Sequence, residues 1–243
     1  MRNLVIHPIP LVKGMNETSK MTYGLNFGKP FDYTAYVWYI GGAGNRILVD
    51  GGVSIDYLRK VRGVMAEEVK SIETGLDELG LGLEDIDLII ATHLHHDHIA
   101  QASRFPKAKV IVQRKELEFA RNPHPSCISH FDARFLEGLN FEIIEGDAEI
   151  CDGISVFSTP GHTVGGQSVS VQTAKGKAVI SGMCTIRDNF YPPAPIGDIT
   201  PVITPGILTN TLEAYDSALR IKETGDIVIT LHDSEFRETK SIP

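Results

Sequence analysis

Ile86 to His98 reads IDLIIATHLHHDH. Its first half, Ile86 to Ala91, is apolar throughout except for Asp87, the pattern of a strand buried on both faces. Its second half packs four of the chain's nine histidines and one aspartate into the six residues His93 to His98. The loop after a core strand is where α/β proteins usually place their chemistry, and imidazoles and carboxylates at this density are metal-ligand types. In extended backbone the side chains alternate, so His93, His95 and Asp97 converge on one cavity, while His98 points elsewhere and lets one segment serve two neighbouring ions. The same alternation turns His96 away from the site. One histidine in such a place is more often a satisfied core or surface residue, but that reading does not account for four together.

Upstream, Tyr36 to Ile40 and Arg46 to Asp50 read as a hairpin turning through Gly41 to Asn45, followed by a sharp DGG exit. From Asp56 to Leu79 the apolar residues fall at helical spacing, interrupted at Gly63, which predicts a mostly helical region. Downstream, a helix is expected from Ile99 to Phe105, a strand at Lys109 to Val112 and a helix at Lys115 to Arg121. A loop-rich stretch, Asn122 to Ser129, follows. Strands are then expected at Phe141 to Glu145, Ile154 to Ser158, Gln167 to Val171 and Ala178 to Ser181, with a last helix at Leu212 to Thr224 and a last strand at Asp226 to Leu231. No repeat or linker divides residues 1–243, so one domain is expected, an α/β sandwich with helices covering packed sheets.

The net charge of −8 gives no long-range attraction for nucleic acid or anionic lipid. Three cysteines, Cys127, Cys151 and Cys184, at unpaired spacings argue against a disulfide framework and for a reduced, cytoplasmic setting. The N-terminal apolar residues are broken by Pro8 and Pro10, unlike a signal peptide, and no apolar run reaches the roughly 18 residues of a membrane span.

His93-x-His95-x-Asp97-His98 resembles the HxHxDH motif of the metallo-β-lactamase superfamily. LVDGG at Leu48 to Gly52 resembles that family's early hairpin, TPGHTVGG at Thr159 to Gly166 its next metal-histidine loop, and LHD at Leu231 to Asp233 its last one. VIVQRKELEFA from Val110, FEIIEGDAEICDGISVFSTPGHTVGGQS from Phe141 and TIRDNF from Thr185 are most similar to the N-acyl homoserine lactonase group. The resemblance implies a four-layer αββα sandwich. It also implies a binuclear metal site in which His93, His95 and His162 hold one ion and Asp97, His98 and His232 the other. Zinc is the expected metal, two ions per chain, with iron, manganese or cobalt as other loadings. The implied activity is a hydrolase in which hydroxide on the metal opens a lactone or related ester of a small-molecule substrate, with Asp97 as the catalytic proton carrier. A homodimer is compatible with the resemblance.

The chain departs from that pattern in two places. Where the family carries a bridging aspartate, this sequence has Ser181-Gly182-Met183-Cys184. A thioether is a poor ligand for such ions, whereas a thiolate at Cys184 would restore the missing negative charge; the alternative is a small buried hydrophobe. The lactonases' substrate-steadying tyrosine falls in a window that holds Cys184, Thr185 and Ile186, and Tyr191 further on does not inherit its role. Phe27, Tyr33, Tyr36 and Trp38 read as pocket lining, core or a subunit contact. His7, His124 and His130 are isolated and stand outside the expected site. Two other readings stay open: the same site acting on a thioester, amide or lactam, isothiocyanate or phosphoester, and an inactive metal-binding or sensing protein.

Overall fold

A computed structural model describes residues 4–243; residues 1–3 of the N-terminal stretch lie outside it. The chain opens with two long strands, β1 (Val5–Glu17) and β2 (Pro30–Gly41), and a short β3 (Ile47–Val49). Helix α1 (Ile55–Lys60), strand β4 (Ala66–Glu68) and helix α2 (Ile72–Asp77) follow. Then come β5 (Leu88–Ile90), α3 (His96–Ile99), β6 (Lys109–Gln113), α4 (Arg114–Arg121) and β7 (Asn140–Ile144). The second half holds β8 (Ala148–Cys151), β9 (Ile154–Ser158), β10 (Gln167–Thr173), β11 (Gly176–Ile180), α5 (Arg187–Phe190), α6 (Thr211–Thr224) and β12 (Ile227–Ile229).

These strands form a seven-stranded sheet, β4-β1-β2-β3-β5-β6-β7, and a five-stranded sheet, β12-β11-β10-β9-β8. Period-two alternation sorts their side chains into layers. Val37, Leu48, Ile89 and Val110 face Leu58, Ile72, Leu76 and Leu117 of the first helical layer. Their neighbours Trp38, Ile47, Ile90 and Ile111 face Val156, Val169, Ala178 and Ile229 across the gap between the sheets. On the far side, Phe157, Val179 and Val228 pack on Ala218 and Ile221 of α6. This is the expected αββα order.

Two expectations are corrected. Asp56 to Leu79 is not one interrupted helix, because α1 ends at Lys60 and Ala66–Glu68 pairs with Val12–Gly14 as an edge strand. Apolar residues at helical spacing do not decide a segment whose backbone finds partners on a neighbouring strand edge. The helix expected from Ile99 to Phe105 instead begins at His96 and stops at Ile99, with only a 3-10 turn at Ala102–Arg104. The expected hairpin is β2 paired antiparallel with β3. Strand β1 was not anticipated from the sequence, since its two prolines disguise it. Ile6, in phase with Pro8 and Pro10, turns its N–H away from β2 to Ile242, so a proline in that phase removes no bond of the β1–β2 ladder.

Candidate metal centre

The strand ends β3, β5, β9, β11 and β12 deliver their following loops to one rim of the sandwich. After β5 the chain runs irregularly through His93 to His95, where the backbone is extended, and turns helical at His96. That change of backbone corrects the simple alternation argument: Asp97 does not join His93 and His95. His93, His95 and His162 form one group of donor atoms, and Asp97, His98 and His232 form a second, all atoms within each group lying within 4.8 Å of one another. The groups adjoin, with the rings of His93 and His98 4.2 Å apart.

Four of the five donor rings are held from behind. His98 Nδ1 lies 2.7 Å from Asp50 Oδ2, His162 Nδ1 2.6 Å from the Ile207 carbonyl, His232 Nδ1 3.2 Å from the Thr34 carbonyl, and His93 Nδ1 3.0 Å from Thr92 Oγ1. Carbonyls and a carboxylate only accept, and Thr92 Oγ1 spends its own hydrogen on Asp50. Nδ1 therefore carries the proton in all four rings, and each Nε2 presents a lone pair inward. His93 Nε2 and His162 Nε2 face each other at 3.2 Å, and His98 Nε2 is buried with no hydrogen-bond partner. Two lone pairs at that distance repel, and a buried orphan acceptor is costly; a cation in each group would relieve them. The residues present fit a pair of divalent ions with nitrogen and oxygen ligands.

Burial is the leading reason the donor imidazoles resist protonation: it pushes His162 down to about 4 and His232 to about 3, from 6.5. His93 and His95 are also driven well below the ordinary value by burial and by each other's neighbours. For His98 burial acts the same way but is outweighed by Asp97 and Asp50, and its pKa rises. For Asp97 burial favours the neutral form, yet the surrounding imidazoles, His98 foremost, hold its carboxyl well below the usual range.

In the metal-free protein the depressed imidazoles bind fewer protons than the unfolded chain does below pH 6.5. Stability is therefore lost as pH falls from about 6.5 toward 4, with His98 offsetting part of it. A calorimetric Tm of metal-free protein should drop by on the order of 10 °C between pH 7 and 5, and a flat profile would show the rings are not held buried and neutral.

Cys184 lines the same cavity but belongs to neither donor group among the described residues. Its Sγ donates to Met21 Sδ at 3.4 Å, it packs with Met21 and Ile186, and burial, with the charge of Asp97, pushes the thiol up beyond ordinary ionisation. The structure thus seats it as a small buried side chain of the cavity wall. Cys184→Ala is expected to keep the wild-type metal content, read by elemental mass spectrometry; loss of one ion would make the thiol a ligand. Met183 is fully buried beneath α6, among Phe157, Val179 and Phe190.

Two further residues touch the donor groups: Tyr33, which the sequence reads only as pocket lining, core or a subunit contact, and His130, which it places outside the site. Tyr33 donates from Oη to Asp97 Oδ2 at 2.8 Å and stacks on His232, centroids 4.6 Å apart. His130 lines the cavity with its ring 5.0 Å from His95. Neither had a local signal: one sits mid-strand among other aromatics, the other in an irregular loop. His96 is buried against Tyr57 and lines the wall without joining a donor group. Tyr191 is exposed beneath Arg187, and Phe27 is exposed while Tyr36 and Trp38 are core.

Residues 31–224 match the metallo-β-lactamase superfamily model. The chain is 30% identical over 184 residues to an N-acyl homoserine lactonase of a Bacillus species, covering 71% of this chain and 72% of that one. It is 26% identical over 241 residues to an N-acyl homoserine lactonase of Bacillus thuringiensis, covering 93% and 92%. A crystal structure of a quorum-quenching N-acyl homoserine lactone lactonase superposes with a TM-score of 0.78 at 25% identity, covering 98% of this chain and 96% of that one.

Proposed function

The chain belongs to the metallo-β-lactamase superfamily and, within it, to the lactonase-like group, and from that membership we propose that it is a hydrolase that holds two zinc ions and opens a lactone or related ester. The observation that carries the reading is the set of Nδ1-engaged imidazoles whose Nε2 lone pairs converge with Asp97. His93, His95 and His162 would hold one ion, and Asp97, His98 and His232 the other. When bound, the ions supply Lewis acidity, which acidifies a water and polarises the ester carbonyl. Imidazole and carboxylate donors favour zinc, and they accept iron, manganese or cobalt.

The chain's own residues do the rest. Asp97, ionised at working pH, takes the proton of the attacking water at the carboxylate oxygen that Tyr33 leaves open and returns it to the departing alcohol. Tyr33, whose phenol burial keeps protonated, fixes that carboxylate by its hydrogen bond. The cavity of about 330 Å³ has room for a small acyl compound. Tyr33→Phe should lower kcat about tenfold, the value of one hydrogen bond to a charged group, while metal content stays unchanged. An unaltered kcat would remove Tyr33 from the reaction.

The deciding experiment measures acid release from a panel of lactones and thioesters by zinc-loaded protein, with and without chelator. Chelator-sensitive lactone opening is expected. No turnover by protein that holds its metal would favour the amide, thioester or phosphoester readings, or an inactive metal-binding protein. None of the described helices is long and apolar enough to cross a membrane. A cytoplasmic location and a homodimer remain part of the proposal.

A further inference from the structure

The cavity above the donor groups is not uniformly apolar. Its lining includes Met15, Met21, Leu58, Val64 and Ile207 and also two cations, Lys20 and Arg62. They arrive from separate places: Lys20 closes the 3-10 turn Thr18–Lys20, and Arg62 lies just past α1, its backbone N–H donating to the Tyr57 carbonyl. Neither side chain makes an ion pair or hydrogen bond with the described residues. Arg59, one turn earlier, is by contrast spent on the Ala66 carbonyl.

The two charges line the same cavity and act on the same group. After burial, Arg62 and Lys20 are the groups that lower the pKa of His130, against the opposing charge of Asp97. Arg62 also acts on His96 and Lys20 on Cys184. Asp97 is the only acidic side chain on the lining, and Tyr33, His98 and His232 already surround it. In a chain of net charge −8, this cavity therefore concentrates unpaired positive charge. Divalent ions below would add more of the same sign. A wall of that kind repels cations and gains from an anion held at partial desolvation.

We infer that the substrate is an anionic lactone or ester, one carrying a carboxylate or phosphate group besides its scissile bond, and that Lys20 and Arg62 bind that group. The inference rests on the hydrolase reading and narrows it. The apolar wall takes the carbon skeleton, the donor groups face the ester, and the two cations fix the far end. Such a wall also separates this chain's preference from that of a neutral acyl lactone.

The test compares γ-butyrolactones bearing a butyl, a propanoate or a phosphonoethyl substituent, using zinc-loaded protein. The charged compounds should exceed the butyl compound in kcat/KM by at least about tenfold, mostly through KM, and the advantage should shrink as salt is raised from about 0.05 to 0.5 M. The double variant Lys20→Ala/Arg62→Ala should erase the preference while leaving butyl-lactone turnover and metal content intact. Which charged arm leads distinguishes carboxylate from phosphate. Calorimetric binding of the ring-opened propanoate product gives a readout independent of turnover, with a Kd at least about tenfold weaker in the double variant. Equal or better turnover of the butyl lactone by wild-type protein, or an unchanged preference or Kd in the variant, would overturn the inference and leave the hydrolase reading standing. No turnover of any lactone would sink the lactone reading instead, and product binding would still decide the anion site. Should the double variant fail to fold, the salt dependence of the wild-type preference decides.

Discussion

Asp97→Asn is expected to lower kcat/KM of the zinc-loaded protein by about 10²–10⁴-fold, the range for removing a positioned proton carrier. The amide is nearly isosteric, so the fold and the Tyr33 contact can persist. What disappears is the charge, and with it both the basicity at the free oxygen and the anionic donor of the second group. Asp97 Oδ2 lies 3.6 Å from His98 Nε2 and 3.9 Å from His232 Nε2, so its loss strips that group of its only negative ligand. The first group contains no residue in common with it. Metal analysis should therefore find close to one ion per chain in the variant against two in the wild type. Near wild-type rates with two ions retained would refute the assignment of Asp97 to either role.

The second large effect is expected at Asp50, which the sequence places only as the end of a hairpin. It is fully buried and sits in left-handed backbone at φ 66°, a conformation uncommon for a residue other than glycine. Its carboxylate accepts from the Thr92 N–H at 2.8 Å and the Thr92 hydroxyl at 2.9 Å and from His98 Nδ1 at 2.7 Å. Asp50→Ala strands these donors in the core, at a cost of about 3–5 kcal/mol. For a chain of this size that corresponds to a Tm lower by about 10 °C or more. Loss of the group behind His98 should also weaken metal affinity about 10–100-fold. Asp50→Asn separates the two effects. Its carbonyl still serves Thr92, but an amide N–H2 facing His98 forces the ring proton onto Nε2 and removes that lone pair from the site. The expected signature is a smaller fall in Tm with the metal still weakly held; full metal affinity in Asp50→Asn would show that the tautomer of His98 is not set from behind.

Much of the fold was legible because its central strands carry unbroken apolar runs and its turns carry Gly, Asp and Asn. The misses have local causes. Ala66–Glu68 is a strand only because the edge of β1 offers it partners. Strand β1 hides behind prolines whose missing N–H groups face away from β2. Within the site, the donor residues stand in the sequence because their spacing is itself the chemistry. Tyr33 and His130 do not, since nothing near either one marks it as facing Asp97 or His95.

At Cys184 the sequence leaves two roles open. Charge counting assigns it the place of a missing carboxylate, and its position beside Met183 is right for that role. In the structure the turn after β11 buries Met183 beneath α6 and aims Cys184 at Met21, and the metal content of Cys184→Ala decides between the two roles.

The sequence by itself determined which metal-ligand residue types the chain carries and in what order they come, because ligand chemistry is carried by side-chain identity and short spacing. Only the tertiary structure decided which nitrogen of four of the rings is turned inward, that Tyr33 bonds Asp97, and that two cations share the cavity. Those depend on a change from extended to helical backbone at His96 and on acceptors as distant in sequence as Thr34 from His232. Contacts of that range are created by the packing of two sheets, and no local pattern encodes them.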